Sequence, residues 1–396
     1  MREINIKRLY SCLVLILFAY AMTVLGVNKL LAYAELDAMP GTFRIQVLFY
    51  LLASAYVVVF YRGDKKDSIP ERLALMFSCV CVLHAMLVPA AISGSILQML
   101  IIIFSLPLSI SLGKTLVKEN VSLPLILMSL IVPFAIIVKN YIDISAIEEL
   151  DISADISFSI VVFLPFIFLC KSHILNILFI SVSGYSVLLT AKRSVIMALV
   201  LASLIYFYNR YMKGVNNMYQ RVRNVLLIIF MIYAINLFFQ THEEESTYML
   251  ERFENLSEDG GSGRDKIYAQ LVQGLKESYF EEKWFGHGHF AVESWLGHPA
   301  HNDYIEIMYD YGIVPLLLYI ALIMSILAYA VKYGKESSDK MSVIGLYASV
   351  LMLLVLGLFN CFITNASYVF VIGLYIGIFK SRIEMDVNQR IGVEKS

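Results

Sequence analysis

Residues 313–331 read IVPLLLYIALIMSILAYAV, nineteen positions without one charged side chain. A run of about 20 apolar residues is the length that crosses a bilayer as a helix, because hydrocarbon offers no partner to a backbone N–H or C=O left outside a helix or closed barrel. Runs of the same kind recur outward from this one in both directions. Hydrophobic residues fill 59% of 396 positions and charged residues 16%, with mean hydropathy +0.72. That balance excludes an ordinary soluble domain. The runs are helical in length and lack the alternation of barrel strands, so the fold class is an all-α integral membrane protein.

Twelve spans are expected, at about 9–31, 45–61, 74–92, 96–112, 121–138, 156–170, 173–190, 194–209, 224–239, 313–331, 341–359 and 366–380. The first, preceded by Lys7 and Arg8, is too long for a signal-peptide core and reads as an uncleaved span. Lysine and arginine set the orientation. Lys7, Arg62, Lys65, Lys114, Lys118, Lys171, Arg210, Arg221, Lys335, Lys340, Lys380 and Arg382 fall on one side, expected to be cytoplasmic together with both termini. The opposite loops are mainly acidic. The chain then divides into spans one to nine over 1–239, a long periplasmic loop over 240–312, and spans ten to twelve with a cytoplasmic tail over 313–396. The net charge of −1 averages over both sides and identifies no partner. Cys12, Cys79, Cys81, Cys170 and Cys361 lie in or beside apolar runs, a pattern that supports neither a disulfide framework nor a zinc ladder.

Lys192-Arg193 breaks the charge rule, since it falls in a short loop on the non-cytoplasmic side with no acidic neighbour. Either the turn is a tolerated basic one whose side chains snorkel to headgroups, or something other than topology requires the cations. The long loop holds three stretches with helical apolar spacing: Met249, Leu250, Phe253 and Leu256; Ile267, Leu271 and Leu275; and Tyr304, Ile305, Met308 and Gly312. Such faces should pack on the membrane domain. Gly260-Gly261-Ser262-Gly263 precedes Arg264 at a helix start, which is either a flexible turn or an anion site built of N–H groups and a guanidinium.

His301 precedes Asn302-Asp303, which have the chemistry of helix-capping residues. A neutral imidazole can take a proton from a hydroxyl, although a lone loop histidine is commonly a packing residue. His287, His289, His298 and His301 lie close in sequence and admit a metal site, less favoured than incidental clustering because no cysteine joins them. Asp303, Glu306 and Asp310 share a helix face and read as alternative bases or, more simply, as a solvated acidic face. His84, deep in a span, reads as hydrogen-bonded within the bundle.

Four stretches together resemble the bacterial O-antigen polymerase/O-antigen ligase family. They are Leu188-Leu189-Thr190-Ala191-Lys192-Arg193-Ser194; Arg252-Phe253 followed by Ser262-Gly263-Arg264; Trp284-Phe285-Gly286-His287-Gly288; and His301-Asn302-Asp303-Tyr304 followed by Gly312. The match covers about 180–330. Lys192 departs from the family, which more often has a small or polar residue there. The resemblance implies a fold similar to C-type glycosyltransferases, in the inner membrane with the site on its periplasmic side. It implies transfer from an undecaprenyl-diphosphate-linked oligosaccharide donor to a lipid-linked acceptor, inverting and without a metal or other cofactor. A chain-length regulator and a flippase are the implied protein partners, with membrane lipid around the chain and no nucleic acid. His301, Arg193 and Arg264 take the catalytic positions, and Lys192, Arg252, Asn302 and Tyr304 are carried over as substrate-binding.

The expected activity is therefore an O-antigen or capsule-type polymerase. The alternatives are a ligase moving the finished glycan onto lipid A–core and, from another class, a twelve-span polysaccharide or lipid transporter without chemistry. A transporter gives no reason for Arg193, Arg264 and His301 to converge.

Overall fold

The computed structural model describes residues 6–33, 41–60, 69–88, 96–147, 156–189, 192–209, 222, 233, 240, 264–361 and 363–394. Every regular element among them is a helix. In chain order these are α1 (Ile6–Tyr33), α2 (Thr42–Phe60), α3 (Ile69–Leu87), α4 (Ile96–Lys118), α5 (Leu123–Ile147), α6 (Ile156–Val161), α7 (Phe166–Leu169), α8 (His173–Leu189) and α9 (Arg193–Phe207). After the undescribed interval come α10 (Arg264–Glu277), α11 (Phe280–Phe285), α12 (Ala291–Leu296), α13 (Asp303–Tyr311), α14 (Ile313–Glu336), α15 (Lys340–Phe359) and α16 (Ala366–Glu394).

Eight of these, α1 to α5 and α14 to α16, are long and apolar enough to cross a bilayer. Shorter apolar stretches cover Ser157–Leu169, His173–Leu188 and Ser194–Phe207. The expected span at 156–170 is broken into α6 and α7. Asn176 of α8 holds the end of α7, its amide donating to the Ile167 carbonyl at 2.9 Å, the Cys170 carbonyl at 3.0 Å and the Tyr206 hydroxyl at 3.0 Å. The expected ninth span, 224–239, lies outside the described residues except for Tyr233, as do the apolar stretch at 249–256 and Arg252.

The bundle is organised on α16, which packs most extensively along α4 and has 89% of its apolar window buried. Small residues allow the approach. Gly373 and Gly377 lie four apart on one face of α16, and a Cβ at either would collide with Ser109 Oγ or the Ile110 carbonyl of α4. Without a hydrophobic drive between helices in lipid, such close contact is what holds them. Pro107 interrupts the α4 ladder, and the Ser78 hydroxyl of α3 donates at 2.7 Å to the Ile103 carbonyl that the proline leaves unserved.

At the far end from the polar loop, Glu71 Oε1 accepts from Lys114 at 3.3 Å and Lys380 at 2.7 Å, and Lys380 also pairs with Glu384 at 2.7 Å. This corrects the sequence reading of Lys114 and Lys380 as loop cations. Both are buried inside helices. Hydropathy ends a span at its first charge, whereas α3 starts before 74 at Ile69 and α16 continues well past 380, because these charges satisfy one another.

Candidate functional site

The polar loop forms a cap of short helices on the end of α3, α14 and α15. Leu271 of α10 is fully buried against Val292, Ala300, Tyr309 and Cys361, with Ile267 and Leu275 alongside. The helical spacing in the sequence thus marks a packed face, and the loop docks on the bundle.

Asn302 caps α13, its side-chain oxygen accepting from the N–H of Tyr304 at 3.0 Å and Ile305 at 3.1 Å. Its amide reaches the Leu358 carbonyl at 3.4 Å. The side chain is thereby committed to holding the turn. His301, just before it, takes the left-handed conformation at φ 56°, which costs a non-glycine residue about 1–2 kcal/mol and needs support from its surroundings. Tyr268 of α10 supplies it, its hydroxyl donating to the His301 carbonyl at 3.2 Å.

Arg264 opens α10 one turn before Tyr268. Burial pushes the Tyr268 phenol up, while the Asn302 side chain and the nearby Arg264 charge pull it back. The structure therefore brings the helix start bearing Arg264 to the turn bearing His301. Tyr268 is the residue that the sequence reading missed, although its place four residues after Arg264 puts both on one helix face. The glycine-rich turn at 260–263 lies outside the described residues.

Lys192 caps the start of α9, and its ammonium lies over the Phe158 ring, 4.6 Å from the centroid. Phe158 meets Tyr368 in the first turn of α16 at 6.4 Å between centroids. Asp303 Oδ1 accepts from Ile363 N at 2.8 Å in the turn leading into that helix. Lys192 and the His301 turn thus both lie near the start of α16, at the same end of the bundle. Arg193 is the first residue of α9, and its side chain lies outside the described residues.

The acidic face is not solvated. Asp303, Glu306 and Asp310 are all buried. Glu306 accepts from Ala300 N at 2.7 Å and Cys361 Sγ at 2.6 Å, and Asp310 from Phe290 N at 3.1 Å and Val292 N at 3.0 Å. Burial raises both carboxyls above the usual range. These groups clamp the cap. Tyr304 is partly buried against Tyr319, 5.9 Å between rings, with its phenol pushed up to about 12 chiefly by burial.

The four loop histidines do not gather at one point. His287 bonds the Tyr309 carbonyl at 3.1 Å and Ser278 Oγ at 3.0 Å, and His289 bonds the Tyr311 hydroxyl. His298 lies face to face with His301 at 6.3 Å. Among the described residues no three His, Cys, Asp or Glu side chains are grouped to hold a metal. His84 of α3 bonds the Tyr311 carbonyl at 2.6 Å and meets Phe285 edge-on, so it joins the cap to the bundle.

The Trp284-Phe285-Gly286-His287-Gly288 stretch owes its glycines to a backbone embrace. Gly286 and Gly312 have φ 76° and 88°, and a Cβ on one would strike the Asp310 carbonyl while a Cβ on the other would strike the Trp284 carbonyl. His287 N and Gly288 N donate to the Tyr309 and Asp310 carbonyls at 2.9 and 2.8 Å. Two of the stretches singled out in the sequence therefore meet at the junction of α13 and α14. Comparison with known proteins finds no family model that matches the chain and no curated protein similar to it.

Proposed function

We propose that the chain is a polysaccharide polymerase of the bacterial inner membrane, moving a growing glycan from undecaprenyl diphosphate onto a lipid-linked repeat unit. In this reading twelve spans cross the membrane, both termini are cytoplasmic and the helical cap is periplasmic. The observation that carries it is the Tyr268 bridge, which joins the helix opened by Arg264 to the His301 turn, at the bundle end where the Lys192-Arg193 turn also lies. A transporter without chemistry gives no reason for the helix opened by Arg264 to be tied to the His301 turn.

The acceptor hydroxyl attacks the anomeric carbon of the donor. As its C–O bond forms, His301 takes the hydroxyl proton, the bond from sugar to diphosphate breaks, and the electron pair leaves with undecaprenyl diphosphate. Arg264 and Arg193 hold the departing charge at a poorly hydrated face, where fixed cations act more strongly than water. Lys192 adds positive charge beside Arg193, and Arg252 and Tyr304 border the sugars. Inversion follows from a single displacement.

The test supplies purified protein in lipid nanodiscs with a synthetic undecaprenyl-diphosphate repeat unit and resolves the products by chain length. Wild type is expected to make a ladder. Arg264→Ala and Arg193→Ala should slow it about 10²–10³-fold, and His301→Ala about 10²–10⁴-fold. A ladder unchanged in all three removes the site, and transfer only onto lipid A–core makes the protein a ligase.

A further inference from the structure

The turn and short helix between α10 and α12 expose an aromatic surface. Tyr279 is 76% exposed and Phe280 70%, with Trp284 and Phe285 also open. Phe280 and Trp284 lie 5.8 Å apart between rings. Soluble surfaces scatter such residues singly, and a group on one element marks a contact with something apolar or interfacial. The height of this group along the bundle is fixed by backbone contacts. The Trp284 carbonyl abuts Gly312, the residue just before the apolar helix α14, and Phe285 meets His84 in the last turn of α3. The group therefore sits level with the ends of two candidate spans.

The same two spans show what lies beside it. On α3, Leu83, Met86 and Leu87 are exposed up to the helix end, as is Leu317 in the second turn of α14. Outward apolar side chains on a bilayer-crossing helix face lipid, and Phe285 and Trp284 adjoin the ends of these two helices. Tryptophan and tyrosine collect at headgroup level, where an apolar ring and a polar N–H or O–H are both accommodated. Glu281, Glu282 and Lys283, which separate Phe280 from Trp284, suit the same polar layer.

We propose that Tyr279, Phe280 and Trp284 lie in the headgroup layer of the bilayer, so that the cap rests on the lipid surface and the membrane itself is the partner of this face. The inference depends on the spans and is independent of the catalytic reading, because its test needs no activity.

The chain has two tryptophans, Trp284 and Trp295. Trp295 is half exposed and stacks on Tyr309, with 5.5 Å between rings, beside Gly274 of α10. The full chain would be reconstituted in phosphatidylcholine vesicles carrying bromine either close to the headgroup or near the chain end. In Trp295→Phe, emission from Trp284 should be quenched more by the shallow bromine than by the deep one. In Trp284→Phe, emission from Trp295, which stacks on Tyr309 and not beside Gly312, should be quenched less by either bromine than that of Trp284. Subtracting the Trp284→Phe signal from wild type gives the Trp284 contribution again, so the result does not hang on one variant. Equal Trp284 emission with and without bromine, stronger quenching by the deep bromine, or equal quenching of both tryptophans would each overturn the proposal.

Discussion

The hydroxyl of Tyr268 donates to the carbonyl of His301 across 3.2 Å, and this bond ties the start of a fourteen-residue helix to a left-handed turn 33 residues later. Its consequence is that the positions of Arg264 and His301 are coupled. In the proposed reaction, an arginine that holds a leaving diphosphate and an imidazole that receives a proton must be fixed relative to one another, because small misplacements are costly in rate. A loop tether alone would not fix them.

Tyr268→Phe removes the hydroxyl that reaches the His301 carbonyl at 3.2 Å and the Leu358 carbonyl at 3.5 Å, and keeps the ring. A neutral hydrogen bond contributes about 0.5–1.5 kcal/mol, so the protein should stay folded with a small drop in thermal stability. Under the polymerase reading the turnover number should fall by roughly tenfold while KM changes little, because a transition-state contact is loosened. Chain-elongation kinetics on the synthetic repeat unit provide the check. Unchanged turnover would show that the bond holds structure alone.

Asp310 offers a test of the cap that needs no substrate. Its two oxygens receive the N–H groups of Phe290 and Val292, and Phe290 itself sits at φ 59°. Asp310→Ala strands both donors in a dry interior, at about 1–3 kcal/mol for each. Thermal unfolding in detergent should show a clear loss, and Asp310→Asn, which retains an acceptor, should lose less. If alanine and asparagine were alike and both near wild type, the clamp would not be what holds the cap.

How far the sequence carried these conclusions depends on where each residue finds its partner. Ile267, Leu271 and Leu275 announce α10 because their helical spacing is local, and Asn302 announces the start of α13 because a cap bonds two and three residues on. The burial of Asp303, Glu306 and Asp310 could not be read, since their spacing is that of a solvated face as well. What buries them is Ile363, Cys361 and Val292, each 18 or more residues away. Lys114 and Lys380 were hidden for the same reason, as Glu71 lies 43 residues from one and 309 from the other. The glycines of the Trp284 stretch were visible, but that they pack against Gly312 was not.

The shared carboxylate at the opposite end makes a prediction about the bundle. Removing one partner of a buried ion pair leaves a charge with no water to receive it and costs about 3–5 kcal/mol. Glu71→Ala removes the acceptor that Lys114 and Lys380 share, leaving Lys380 with Glu384, and should reduce both yield from membranes and thermal stability. Glu281→Ala, at an exposed position in the cap, should change stability by less than about 0.5 kcal/mol. Equal stability of the two variants in the same detergent would mean that the lysines reach water.

His289 gives the cap a dependence on acid. Burial lowers its imidazole to about 4, while an unfolded histidine titrates near 6.5. As pH falls, the unfolded chain therefore takes the proton first, and the stability contributed by burying the neutral ring is complete above about 6.5 and declines toward 4. The loss is at most about 3 kcal/mol. Asp310 and Glu306 work the other way, because burial raises their carboxyls and their contribution is lost as pH rises. The absolute slope of stability with pH is thus a balance, and the informative quantity is a difference between proteins. His289→Gln keeps a polar side chain beside the Tyr311 hydroxyl and cannot titrate. Thermal unfolding of both proteins at pH 7.5 and pH 4.5 should show wild type losing more than the variant on acidification, by up to the amount above. Parallel behaviour of the two would mean that the ring at 289 meets water in the folded protein and does not govern how the cap responds to acid.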